Sequence, residues 1–157
     1  MNEQTKSRRP RKALAVASGG GHWMQLMRVL RALDGYDVVF VAVSESYRRV
    51  VPKCKFYAVG DANRWNKFLL LALAARIAWI VCKERPDVVI STGAAPGYFA
   101  VLFGHLWGAR TIWIDSLANV ERLSLSGRLA GRHADLWLTQ WPQLAAAEGP
   151  RYAGAVL

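Results

Sequence analysis

The sequence predicts an α/β fold with a parallel sheet and helices on both faces, and three observations carry that prediction. Short apolar runs of strand length alternate with stretches of helical periodicity along the chain. The runs are continuously apolar, as strands covered on both faces are, rather than alternating in the manner of a half-solvated sheet. The first run, Ala13 to Ala17, breaks into Gly19-Gly20-Gly21-His22 and then a helical pattern, which is how a βα unit with a phosphate-sized loop begins. With 157 residues the chain fits one Rossmann-like domain that can bury a core without disulfide or metal.

Taken in order, residues 1–12 read as a basic flexible tail, with Lys6, Arg8, Arg9, Arg11 and Lys12 close together, and residues 13–157 as the single domain. The tail is either solvated or a polybasic contact with anionic lipid, where each cation contributes ~1 kcal/mol. The apolar run after it is shorter than the roughly 7–15 residues of a signal-peptide core, so the N-terminus is read as uncleaved. Trp23, Leu26, Met27, Leu30 and Leu33 fall at helical spacing and give one apolar face for packing on the sheet. Asp34-Gly35 ends that helix, and Asp37 to Ala42 is the second strand. Glu45 to Val51 reads as a short helix stopped by Pro52, and Lys55 to Val59 as the third strand.

Phe68 to Cys82 is helical and apolar almost throughout, but fifteen residues reach only ~22 Å and Arg76 interrupts them, which disfavours a membrane crossing. Two readings stay open: a buried crossover helix, or a helix lying in a bilayer interface, with Arg64, Trp65 and Lys67 at one end and Lys83 and Arg85 at the other. Pro86 ends it. Strands follow at Asp87 to Ser91, Arg110 to Asp115 and Asp135 to Thr139, with an apolar helix to about Trp107 and a short helix near Ser124 to Ala130.

Composition narrows the partners. The chain is 53% hydrophobic and 20% charged, apolar enough to imply contact with a membrane or a partner chain, and its net charge of +10 implies an anionic surface or ligand. No nucleic-acid-binding signature accompanies that charge, so nucleic acid is set aside. Cys54 and Cys82 form no CxxC pattern and there are three histidines, which supports neither a disulfide framework nor a metal site; a reducing compartment is expected.

In doubly wound sheets ligands bind beyond the carboxyl ends of the strands, where Ser18 to His22, Thr92 to Gly97 and Asp115 to Asn119 converge. Ser18, Gly19, Gly20 and Gly21 match neither GxGxxG nor a P-loop, so a dinucleotide site is unsupported, yet three glycines allow a diphosphate to approach the main chain. Thr92, Gly93 and Gly97 form the second glycine-bearing loop. His22 either caps its helix or serves as a ligand or proton acceptor. Asp115 is expected to project into the cleft, as a base towards a sugar hydroxyl or as a tie for Ser116 and Asn119. Trp79, Trp113 and Trp137 read as core, and Arg122, Arg128 and Arg132 as an exposed basic set facing solvent or lipid phosphate.

With these loops laid out, Ser-Gly-Gly-Gly-His at 18–22, the block from Ile114 to Leu129 and Leu-Thr-Gln-Trp-Pro-Gln-Leu at 138–144 resemble the ALG-fourteen type of oligosaccharide-biosynthesis protein along nearly the whole chain. The resemblance implies one half of a split GT-B glycosyltransferase, similar to the N-terminal domain of the lipid-II-forming GlcNAc transferase of peptidoglycan synthesis. On that reading this chain binds a polyprenyl-diphosphate-linked acceptor and recruits to the membrane a separate donor-binding subunit that carries the UDP-sugar, of UDP-GlcNAc or UDP-glucuronate type. No cofactor or metal is expected on this chain, and none of the transfer is expected from it alone. The implied location is the cytoplasmic face of the inner membrane. His22 and Asp115 would be the catalytic pair, with Gly19 to Gly21 and Gly93 to Gly97 around the diphosphate. Ala153, Gly154, Ala155, Val156 and Leu157 would meet the partner. Family members often have Glu-Ser where this chain has Asp115-Ser116, and eukaryotic members carry an N-terminal membrane helix where it has a basic tail. The alternatives are a recruiting scaffold without catalytic residues and a free-standing nucleotide-binding domain.

Overall fold

The computed structural model of the chain describes residues 10–60 and 66–156. Seven parallel strands form one sheet: β1 (Lys12–Val16), β2 (Asp37–Ala42), β3 (Lys55–Ala58), β4 (Val88–Ser91), β5 (Arg110–Ile114), β6 (Leu136–Thr139) and β7 (Arg151–Tyr152). Their order is β3-β2-β1-β4-β5-β6-β7. Four helices cover it: α1 (Gly20–Val29), α2 (Lys67–Glu84), α3 (Ala94–Leu106) and α4 (Leu125–Ala130). The expected Rossmann-like sheet with helices on both faces is therefore present. The six expected strands all form. The seventh, β7, is two exposed residues with no apolar pattern to announce it.

The two faces divide along β1. Ala13 and Ala15 face one core with Trp23 and Leu26 of α1, Phe40, Phe56, Ile90 and Ile114. Leu14 and Val16 face the other, built from Leu73, Ile77, Ile80 and Val81 of α2, Ala100 and Val101 of α3, Trp113 and Ala130. Residues 13–17 are fully buried, so this strand is the axis on which both layers pack. Small residues on the α1 side leave room for the Trp23 ring, which stacks on Tyr47 with centroids 4.7 Å apart.

Local differences have local causes. The segment Glu45–Val50 is 3₁₀ rather than α-helical, begun by the Ser44 hydroxyl accepting the Ser46 N–H. Helix α1 starts at Gly20, earlier than the apolar spacing suggests, and runs on as a 3₁₀ turn over Leu30–Leu33. Asn66 caps α2 by accepting the Leu69 N–H at 3.1 Å, and Arg85, at φ 46°, ends it before Pro86. The buried-helix reading of α2 holds for one of its sides, where Leu73, Ile77 and Ile80 are buried on the sheet, while the other leaves Phe68, Leu71 and Trp79 exposed. Trp79 is thus not core; Arg76 and Lys83 stand over its ring at 4.7 and 4.5 Å.

Lys12 belongs to β1, so the tail boundary drawn after residue 12 falls one residue inside the sheet. Its ammonium meets the Glu84 carboxylate at 2.9 Å, Lys55 meets the other oxygen at 2.6 Å, and the Tyr57 hydroxyl donates to it as well. This cluster fastens the end of α2 to β1 and β3. Lys6, Arg8 and Arg9 of the tail, together with Arg64 and Trp65, lie outside the described residues.

Burial by itself would raise the Glu84 carboxyl; hydrogen bonds from Lys55, Tyr57 and Lys12 outweigh it and hold the group at about 2, below its ordinary 4.5. A depressed folded value means that this stabilisation is complete above the unfolded value and disappears as pH falls through the folded one. Urea unfolding is expected to show stability falling between pH 4.5 and 2, with Glu84→Gln flattening that slope and lowering stability at pH 7 by about 2 kcal/mol.

Candidate functional site

At the carboxyl edge of the sheet the connection after β1 leads to β2 and the one after β4 leads to β5 on the opposite side, so adjacent strands send their loops apart. His22, near the start of α1, and Thr92, after β4, meet across the gap. The His22 Nδ1 lies 2.8 Å from the Thr92 carbonyl oxygen, and the Thr92 hydroxyl donates to the His22 carbonyl oxygen at 2.6 Å. A carbonyl only accepts, so Nδ1 carries the hydrogen and Nε2 is the unprotonated nitrogen of the neutral ring.

Gly93 is required by this arrangement. Its φ is 143°, and a Cβ there would stand 2.4 Å from both Nδ1 and Cε1 of His22. Ala94 follows at φ 65°, a left-handed placement that costs an alanine about 1 kcal/mol and is held beside the site.

His22 lines a cavity of about 490 Å³. Leu70 of α2, Ala95, Tyr98 and Phe99 of α3, and Leu125 and Leu129 of α4 form its apolar walls, while Ser116, Asn119, Ser124 and Ser126 supply polar atoms. His22 is the one imidazole among the lining side chains. The expected meeting of His22 with the loop from Ser116 to Asn119 therefore occurs.

Asp115 does not project into the cleft. It is 1% exposed and absent from the cavity wall. Its carboxylate accepts the Ser124 hydroxyl at 2.6 Å, the Ser124 N–H at 3.0 Å, the Asn119 amide at 3.2 Å and the Trp113 indole at 3.3 Å. With its lone pairs so engaged it folds the 116–124 loop, and Ser124 in turn caps α4 by accepting the Gly127 N–H at 2.8 Å. Of the expected tie to Ser116 and Asn119, the bond to Asn119 is present and Ser124 stands where Ser116 was expected, while the carboxylate does not face the cavity as a base would.

The glycines separate into distinct roles. Gly97 lies inside α3 against the sheet, where a Cβ would come within 1.9 Å of the Ser91 hydroxyl, so its smallness serves packing and not a diphosphate. Thr92 is fully buried and its hydroxyl is committed to His22. Gly19, Gly20 and Gly21 lie beside the cavity rather than in its wall; Gly20 donates its N–H to the Tyr47 hydroxyl at 2.7 Å, and nothing lies within 4 Å of a Cβ at Gly20 or Gly21. The Ser18 carbonyl accepts the Val43 N–H. Ala153, Gly154 and Ala155 are exposed beyond β7 and Val156 is half-buried; Leu157 lies outside the described residues.

The sequence reading did not single out Leu70, Tyr98 and Phe99 in the wall, Ser124 as the main donor to Asp115, or the buried glutamines Gln25 and Gln140 behind the loop. Only Ser124, a hydroxyl directly before a short helix, carried a local signal, that of an N-cap. Arg122, Arg128 and Arg132 are exposed as expected. Among the described residues no three His, Cys, Asp or Glu side chains gather as metal ligands, and no helix is long and apolar enough to cross a membrane.

Residues 47–156 match the family described as "Oligosaccharide biosynthesis protein Alg14 like". The chain belongs to that family. Among its relatives is the UDP-N-acetylglucosamine transferase subunit ALG14 of Yarrowia lipolytica, 40% identical over 85% of this chain and 75% of that protein. The protein of the same name from Eremothecium gossypii is 56% identical over 87% of this chain and 75% of its own length. The fold is shared with MurG of Acinetobacter baumannii, on which this Alg14-family chain superposes with a TM-score of 0.74 at 16% identity, over 91% of its own length. It spans 45% of the MurG chain.

Two substitutions check the geometry. Gly93→Ala is expected to dislodge the imidazole while the circular dichroism stays native; long-range ¹H–¹⁵N spectra should then lose the Nδ1–H tautomer of His22. Asp115→Asn is expected to cost about 1–3 kcal/mol in urea unfolding, because donors now paired to a carboxylate lose it.

Proposed function

We propose that this chain is the acceptor-binding, membrane-facing subunit of a two-component UDP-GlcNAc transferase that acts on a polyprenyl-diphosphate-linked acceptor. The observation that supports this most directly is the polarity of the cavity. Its lining combines the polar groups of His22, Ser116 and Asn119 with apolar walls from Leu70, Phe99, Leu125 and Leu129. Beyond it Phe68 and Leu71 stand 87% and 69% exposed on α2, and Leu125 is 48% exposed on α4. A molecule with a polar sugar-diphosphate head and an isoprenoid tail offers both kinds of surface, and apolar side chains so exposed favour a bilayer over water. Lys67, Arg76, Arg122 and Arg128, all exposed near this surface, suit anionic lipid headgroups.

In this reading the Gly20–Gly21 corner at the start of α1 faces the diphosphate, and the acceptor sugar hydroxyl lies against His22. Nε2 takes the proton as the hydroxyl oxygen bonds to the donor sugar C1; the C1–oxygen bond to the β-phosphate breaks and UDP leaves with that electron pair. The UDP-sugar sits on a second chain that closes the cleft, and this subunit brings that chain to the cytoplasmic face of the membrane. UDP-GlcNAc is preferred over UDP-glucuronate because the relatives are named for it.

The alternative of a recruiting scaffold without catalytic residues makes a different prediction for one residue. With the partner subunit present, His22→Ala is expected to lower transfer from labelled UDP-GlcNAc by about 10²–10⁴-fold, while complex formation and vesicle binding stay intact. Full turnover in that variant favours the scaffold, and transfer by the isolated wild-type chain overturns the two-component reading. Phe68→Ser with Leu71→Ser is expected to weaken sedimentation with vesicles containing anionic lipid by at least about tenfold, given two exposed apolar side chains each contributing about 1.5 kcal/mol or more.

A further inference from the structure

A continuous chain of hydrogen bonds runs from the C-terminal segment to the wall of the cavity through two buried side-chain amides. Gln25 of α1 and Gln140, just after β6, are 8% and 2% exposed. The Val156 N–H donates to Gln140 Oε1 at 2.8 Å. Gln140 Nε2 donates to the Asp115 carbonyl oxygen and to Gln25 Oε1, each at 2.9 Å. Gln25 Oε1 also accepts the Leu117 N–H at 3.4 Å, and its Nε2 approaches the Ser116 hydroxyl at 3.5 Å, which accepts the Ala118 N–H at 3.3 Å. Ser116 is in the cavity wall.

Chemistry fixes the direction of every link. A backbone N–H only donates, so Gln140 must turn its oxygen to Val156; a carbonyl only accepts, so its nitrogen must face Asp115. Gln25 then has to offer oxygen to that nitrogen, which leaves its own nitrogen for Ser116. Flipping either amide sets donor against donor, at a depth where an unmatched polar group is costly.

At its outer end the chain is held lightly. Beyond the two-residue β7, residues 153–155 are exposed, and Val156 is further held by Arg28, whose guanidinium donates to its carbonyl at 3.2 Å. Beneath the segment is a space of about 140 Å³ bounded by Val29, Ile114 and Leu138, which gives it room to shift.

We propose that Gln140 and Gln25 are positioning residues that couple the seating of residues 153–156 to the placement of the Ser116–Asn119 wall, so that whatever binds or displaces the C-terminal segment adjusts the cavity. Its functional meaning rests on the reading of that cavity as the acceptor site. The coupling itself does not.

The test uses the full chain. Val156→Pro removes the one N–H at the outer end, Val156→Ala keeps it, and Gln140→Met removes the relay at nearly constant volume. Native-state hydrogen exchange is expected to quicken about fivefold or more at Leu117 and Ala118 in the Pro and Met variants, with the Ala variant and the core amides of Leu14 and Val89 unchanged. Unchanged exchange at Leu117 in Val156→Pro overturns the proposal, and so does a rise spread evenly over the sheet, which would be lost stability. Should Gln140→Met not fold, the Pro and Ala pair decides alone. Binding of farnesyl diphosphate, weakened about fivefold by Val156→Pro but not by Val156→Ala, ties the relay to the acceptor reading. If the wild type binds no farnesyl diphosphate while the local exchange response persists, the acceptor reading fails and the relay stands.

Discussion

Reciprocal hydrogen bonds between His22 and Thr92 close the gap where the chain reverses its direction of travel across the sheet. Parallel strands place all carboxyl ends on one edge, and the reversal between β1 and β4 opens a crevice there. Left open, two loops would carry unpaired backbone groups next to the core. Pairing each residue's carbonyl with the other's side chain satisfies both and fixes the imidazole tautomer at the same time. Gly93 leaves free the space that the ring occupies, where a Cβ would stand 2.4 Å from two of its atoms.

The second loop, from Asp115 to Ser124, is organised by the opposite device: a carboxylate taken out of solvent and given four donors. A buried carboxylate is tolerable when so surrounded and damaging when not, which commits Asp115 to the loop and leaves His22 as the imidazole in the cavity wall. Asp115 thus resembles Glu84, which sits 1% exposed among Lys12, Lys55 and Tyr57 at the far end of the sheet. One acid shapes the cavity and the other fastens the helix that forms part of its wall.

Helix α2 carries two obligations in one sequence. Its inward residues bury Leu73, Ile77 and Ile80, and its outward side presents Phe68, Leu71 and Trp79 with cations close by. A helix that is apolar on both sides shows weak amphipathic periodicity, which is why the sequence left buried and interfacial readings level. Leu70 of the same helix lies in the cavity wall, so α2 contributes to the core, the cavity and an exposed apolar side at once.

The chain's own residues determined the sheet, its parallel sense and the edge at which a ligand would sit, because strand length, apolar continuity and glycine breaks are local properties written in order. The motif blocks at 18–22, 114–129 and 138–144 likewise resemble the Alg14 family, to which the chain belongs. What only the tertiary structure decided was the use of each polar group. That Asp115 is enclosed, that Gly97 serves Ser91, that Thr92 holds His22, and that Gln25 and Gln140 meet behind the cavity all depend on contacts between residues 70 to 115 positions apart or on which way a side chain turns at a strand end. Sequence states what a side chain can donate or accept; packing chooses its partner, because a buried hydrogen bond is settled by proximity in space and not by spacing along the chain.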